Sequence, residues 1–110
     1  MQIISSSDED FRRLVDQNSL VLVRFYTEWC GTCRLLYPSF VQLSEDERYQ
    51  DVIFVDFNID SSSTLKTELD IDAVPSYVIF KNGDLVEKTY PSNEEDMEIL
   101  YNKMELLTNV

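Results

Sequence analysis

Leu20-Val21-Leu22-Val23-Arg24-Phe25-Tyr26, continued by Thr27-Glu28-Trp29-Cys30-Gly31-Thr32-Cys33, is the stretch whose reading decides the fold. Its first seven residues make a near-continuous apolar, β-branched and aromatic run, the pattern of a strand covered on both faces in a parallel sheet. The chain's only two cysteines follow, three positions apart, where a helix is expected to open. Residues i and i+3 at a helix start face the same way, close enough for a disulfide to close without large strain. A pair so placed reads as a dithiol–disulfide exchange site. Spacing alone leaves two other readings open. The cysteines could be small buried apolar residues, or half of a zinc site, although the chain has no histidine and no third cysteine to complete one.

Working outward, Leu35, Leu36, Phe40, Val41 and Leu43 give the helix after the cysteines an apolar face. Pro38 within it removes one hydrogen bond and is expected to bend the axis. Val52 to Ile59 is a second doubly covered strand, so strand, helix and strand make a right-handed βαβ unit. Upstream, Met1 to Ser5 suits a short first strand. Ser7 before Asp8, Glu9 and Asp10 reads as a helix start with acids at the positive end of the dipole, and Phe11, Leu14 and Val15 form its inward stripe. Downstream, Ser63 to Leu69 suits a short helix. Ser76 to Phe80 and Leu85 to Tyr90 are strands joined by Lys81-Asn82-Gly83-Asp84, and Asn-Gly in so short a connection makes them an antiparallel hairpin. Ser92 and Glu95 form a capping box. The last helix then carries Met97, Ile99, Leu100, Met104 and Leu107 toward the sheet. The expectation is an α/β fold, a mixed five-stranded sheet flanked by four helices.

A length of 110 residues suits one domain, residues 1–110, with one core. Apolar residues at 44% and charged residues at 27% are ordinary for a soluble globular chain. With two glycines and three prolines, no stretch reads as a linker, and no internal repeat is visible. The first residues lack the basic and apolar regions of a signal peptide, and no segment approaches the ~18 apolar residues of a membrane span. The cytoplasm is the expected compartment, where a paired dithiol is more often catalytic than structural. The net charge of −12, from 21 acidic and 9 basic residues, opposes nucleic acid and anionic membrane surfaces. Most of these charges read as a solvated, solubilising surface. No cofactor and no metal are expected.

Taken with the dithiol, this order of elements resembles the thioredoxin family over essentially the whole chain. The matching pieces are Phe25-Tyr26 ending a strand, Glu28-Trp29-Cys30-Gly31 with Cys33, the helix-borne Pro38, Asn58-Ile59-Asp60, Val74-Pro75, and Phe80-Lys81-Asn82-Gly83. The resemblance implies a thioredoxin fold and a protein-disulfide reductase. The physics of the site points the same way. Cys30 lies where free N–H groups and the helix dipole stabilise an anion, so its thiolate forms more easily than that of a free cysteine. Cys33, one turn in, is expected to be more buried and to act second: Cys30 attacks a substrate disulfide and Cys33 resolves the mixed disulfide. The family's matching proline is cis and lies against the dithiol. By resemblance the Val74-Pro75 bond is therefore cis, leaving the Val74 backbone free to pair with an extended substrate segment. Without that context the bond would be read as trans. Trp29, with Gly31 and Thr32, is assigned by resemblance to the docking surface, whereas Phe25, Tyr26 and Phe57 read as core. The implied partners are disulfide-containing protein substrates and an electron donor such as a thioredoxin reductase, with the chain a monomer that binds neither nucleic acid nor membrane.

Three features depart from the family pattern. Thr32 stands where proline is usual, freeing one backbone N–H near the sulfurs and changing the reduction potential. Pro91 replaces a common glycine in the loop facing the dithiol, narrowing the docking groove. Arg24 and Asp56 stand where thioredoxins typically carry an acid and a lysine. Each is the sole charge in its strand, so the two are expected to form a buried ion pair of reversed polarity beneath the dithiol. There the guanidinium would favour the Cys33 thiolate, with Asp56 the nearby proton acceptor. Otherwise Arg24 snorkels to the surface along its aliphatic stem. Three rival functions remain: an interaction module with incidental redox activity, separated by turnover on a disulfide protein; a disulfide oxidase or isomerase, separated by reduction potential; and a metal or cluster site shared between two chains.

Overall fold

The computed structural model describes residues 3–62 and 64–108. The elements run β1 (Ile3–Ser5), α1 (Asp8–Gln17), β2 (Leu20–Tyr26), α2 (Gly31–Ser44), β3 (Ile53–Asn58), α3 (Leu65–Glu68), β4 (Ser76–Lys81), β5 (Asp84–Thr89) and α4 (Glu94–Thr108). The expectations for Met1, Gln2 and Ser63 lie outside the described residues. Strand order is β1-β3-β2-β4-β5. β1 and β2 both run parallel to β3, while β4 is antiparallel to β2 and to β5. This is the expected mixed sheet, and β2 sits at its centre. Every β2 residue but Tyr26 is buried, as its near-continuous apolar run suggests, Arg24 included. Asn82 and Gly83 join β4 to β5 with φ of 53° and 87°, the left-handed pair that a two-residue hairpin turn needs.

Alternation along the strands divides the core into two layers. Leu22, Phe54, Tyr77 and Ile79 face α2 and α4, meeting Leu36, Phe40, Met97, Leu100 and Met104. Val21, Val23, Phe25, Val55, Phe57, Val78 and Phe80 face α1 and α3, meeting Phe11, Val15 and Leu65. Arg24 and Asp56 fall on the first of these faces by the same alternation, directly opposite each other in the β2–β3 register.

The helices correct three expectations. Leu35 is 67% exposed and Ile99 54% exposed. In α2 the buried apolar set is Cys33, Leu36, Phe40 and Leu43, spaced by three and four, which leaves Leu35 about a third of a turn off the stripe. In α4 the same spacing selects Met97, Leu100 and Met104 and turns Ile99 outward. The α4 cap is also displaced by one residue. Asn93 Oδ1 accepts the Asp96 N–H at 2.9 Å, and Asp96 in turn accepts from the Ser92 N–H at 2.9 Å, so neither half of the bonding uses Glu95. At α1 the acid-rich start is as expected: the Asp10 carboxylate accepts the Ser7 N–H at 2.9 Å and the Ser6 hydroxyl at 2.8 Å.

Candidate active site

The central strand delivers the chain to the site at Tyr26, and a turn over Thr27–Trp29 closes with the Cys30 N–H bonded to the Thr27 carbonyl at 3.4 Å. Cys30 is the N-cap of α2 in extended conformation, and its sulfur accepts the Cys33 N–H at 3.0 Å. That N–H is one of the orphan donors every helix start carries, and here it meets a sulfur in place of a capping oxygen. Cys30 and Cys33 form a disulfide with Cα atoms 5.2 Å apart. Cys30 is half-buried and Cys33 only 1% exposed. Trp29 stands 88% exposed beside the pair. Gly31 is exposed and Thr32 half-buried, so both are available at the rim.

Val74 and Pro75 lie just before β4 and their peptide bond is cis. Pro75 is buried and Val74 half-buried, and no hydrogen bond among the described residues engages the Val74 backbone. A cleft of about 140 Å³ runs along this segment, lined by Thr27, Ile59, Asp60, Ile71, Asp72 and Val74 among others.

Beneath the dithiol, Arg24 is 5% exposed and does not snorkel. Its Nε and Nη2 donate to the two carboxylate oxygens of Asp56 at 2.7 and 3.1 Å, a bidentate pair. Nη1 donates at 3.4 Å to the carbonyl of Cys33, so the observed contact of the guanidinium is with the cysteine's backbone. The rings of Tyr26 and Tyr37 sandwich it, their centroids 4.3 and 4.5 Å from its central carbon. Tyr26 is therefore not core, as the sequence suggested, but a half-buried wall of this cage. Together with Thr27, Glu28, Cys33 and Arg34 these groups line a cleft of about 340 Å³ beside the buried sulfur.

The family model for Thioredoxin matches residues 2–104. The chain belongs to the thioredoxin family. It is 33% identical over 93 residues to Thioredoxin-1 of Schizosaccharomyces pombe, covering 84% of this chain and 88% of that one. It is 29% identical to a thioredoxin of Coprinus comatus, over 94% and 96% of the two chains. Among solved structures, the oxidised thioredoxin of Plasmodium falciparum superposes with a TM-score of 0.83 at 27% identity, covering 94% of this chain and 99% of that one. A thioredoxin-family chain whose paired cysteines close a disulfide at a helix start is a thiol–disulfide oxidoreductase acting as a protein-disulfide reductase.

Within that family frame, the structure brings Trp29, Cys30, Gly31, Thr32 and Cys33 together at the start of α2, with Arg24 and Asp56 under them. Pro91 is buried in the turn between β5 and α4. Sequence reasoning missed Tyr37. A signal was available: Tyr37 lies four residues after Cys33 and so shares its helix face.

Proposed function

We propose that Cys30 is the attacking thiol and Cys33 the resolving one. The observation that carries this reading is the asymmetry of the pair. The half-buried Cys30 sulfur receives a helix N–H at 3.0 Å, whereas Cys33 is 1% exposed. The Cys30 thiolate attacks one sulfur of a substrate disulfide, breaking that bond and forming a mixed disulfide, while the leaving sulfur takes a proton. Cys33 then loses its proton and attacks Cys30 Sγ, expelling the second substrate thiol. Two electrons pass to the substrate and the Cys30–Cys33 disulfide remains. An electron donor of the thioredoxin-reductase class returns it to the dithiol.

Substrate docks between two rims. Trp29, Gly31 and Thr32 form one, and Val74 and Pro75 the other, with the unengaged Val74 backbone adding a strand-like contact. Arg24 and Asp56 tune the resolving step. The guanidinium turns one N–H toward the Cys33 carbonyl, an arrangement that sets positive charge beside that cysteine and favours its thiolate; the paired Asp56 carboxylate is the acceptor for its proton. A net charge of −12 opposes self-association and supports a monomer, and the need for a reducing donor favours the cytoplasm.

Alkylation of the reduced protein at neutral pH tests the assignment. Cys30 is expected to be labelled well before Cys33, and Cys33→Ser to accumulate a mixed disulfide with substrate that Cys30→Ser does not form. Equal labelling, or Cys33 first, overturns it. Sedimentation and localisation of the tagged chain test the monomer and the cytoplasm.

A further inference from the structure

The segment that leads into Val74 is held by side chains that redox chemistry does not call for. α3 ends in a complete reversal motif: the Asp70 N–H bonds to the Thr67 carbonyl at 3.2 Å and the Ile71 N–H to the Lys66 carbonyl at 2.9 Å. The residue that turns the chain there normally is glycine, because its backbone is left-handed. Here it is Asp70, with φ of 55°. Two side chains from β5 and its end close on this turn. Lys88 Nζ donates to the carbonyl of Asp70 at 2.7 Å and to that of Leu69 at 3.2 Å, and the Asp70 carboxylate is 3.9 Å from it. The Tyr90 hydroxyl donates to the Asp70 carbonyl at 3.3 Å and accepts the N–H of Asp72 at 3.4 Å. Lys88 and Tyr90 are two residues apart along an extended chain, so they point to the same side.

The consequence is geometric. Ile71, 3% exposed, anchors one side of residues 70–72 in the core, and Lys88 with Tyr90 fixes the other. Only Ala73 separates this clamp from Val74, and Ile71, Asp72, Ala73 and Val74 together wall the cleft along the docking rim. Lys88 lies on the outermost strand, and its side chain is only 23% exposed despite its charge. The bonds of the Lys88 ammonium to the Leu69 and Asp70 carbonyls, just past the end of α3, are charge-assisted and therefore stronger than neutral ones.

We propose that Lys88 and Tyr90 are positioning residues for substrate docking: they hold the 70–72 turn so that the Val74 backbone presents a fixed edge to the substrate. The inference rests on the docking role given above to Val74. Neither residue touches the sulfurs, so the clamp acts on binding and not on the exchange step.

The test uses reduction of a disulfide protein driven by a chemical dithiol, under conditions where every variant is fully folded. Lys88→Met and Tyr90→Phe are expected to raise KM by roughly five-fold or more with kcat nearly unchanged, and Lys88→Arg to restore KM. Lys103→Met, which breaks the ion pair of Lys103 with the neighbouring β5 residue Glu87, is the control and should leave KM alone. Unchanged KM in the first two variants, or an equal rise in the control, overturns the proposal. Amide exchange at Val74 in the mixed disulfide trapped with Cys33→Ser separates the two layers of the argument. An unprotected Val74 amide in that complex overturns the docking role itself. A protected amide that stays protected when Lys88→Met is added overturns the clamp alone. Protection lost on adding Lys88→Met is the expected result.

Discussion

A guanidinium on the central strand of a sheet is tolerable only when its charge is matched and its donors are used, and Arg24 meets both conditions. Three of its five N–H groups have acceptors, its charge faces Asp56 in bidentate geometry, and two tyrosine rings cover its faces. Removing one partner leaves the other charge buried, so Arg24→Ala is expected to cost ~3–5 kcal/mol in urea unfolding. Removing both charges should cost much less than the sum of the two single losses, and additive losses would refute the coupling. The neighbour of Arg24 across the β2–β4 register, Tyr77, shows the opposite condition. Its hydroxyl is buried without a hydrogen-bond partner among the described residues, and burial pushes its phenol well above the ordinary value. In the unfolded chain that phenol ionises near pH ~10 while in the fold it stays neutral. The unfolded state then holds fewer protons, so stability falls as pH rises above that point. Tyr77→Phe should therefore flatten part of the alkaline decline, read as the unfolding midpoint between pH 9 and 11, at little cost near neutrality.

At the scale of elements, helix starts carry much of the polar detail. Asp10 holds α1 by accepting from Ser7 and Ser6, and these bonds lower its carboxyl below the ordinary range. A depressed acid contributes stability above its unfolded pKa and loses it as pH falls through the folded one. Asp10→Asn is thus expected to lower stability at neutral pH and to leave a shallower acid limb in a pH series of unfolding midpoints; an unchanged acid limb would remove Asp10 from that account. The start of α2 turns such a donor to the disulfide, since the Cys33 N–H that a capping oxygen would take meets the Cys30 sulfur. One structural device meets a carboxylate in α1 and a sulfur in α2.

At the scale of the whole molecule, the sheet is a partition between two cores of different character. The α1/α3 side is organised round Phe11, whose ring lies 6.0, 5.5 and 5.8 Å from those of Phe25, Phe57 and Phe80. The α2/α4 side holds the ion pair and the dithiol. Phe11→Ala should cost ~3–5 kcal/mol, a large share of the stability of a domain this size, with Phe11→Leu milder. Because Phe11 packs on the face of the sheet away from α2 and its cysteines, alkylation of Cys30 in folded Phe11→Leu should match the parent. A changed rate would show that the two layers are coupled.

How much of this was legible in the chain follows from the range of each interaction. Apolar runs, the cysteine spacing and Asn82-Gly83 are local signals, and they determined the elements, the mixed sheet and the place of the dithiol, because period and turn chemistry act within a few residues. The sequence by itself also paired Arg24 with Asp56, since two lone charges on covered strands have few other ways to be tolerated. It misjudged Leu35, Ile99 and Tyr26, where composition says apolar but the direction of a side chain depends on which neighbour the element packs against. Only the tertiary structure decided that Arg24 reaches the Cys33 carbonyl and is caged by Tyr26 and Tyr37, and that Lys88 and Tyr90 grip the turn before Val74. Apart from Arg24 with Tyr26, which share β2, those contacts join residues on different elements, 18 to 20 positions apart at the clamp, and their geometry is set by strand register and layer packing, which no local pattern encodes.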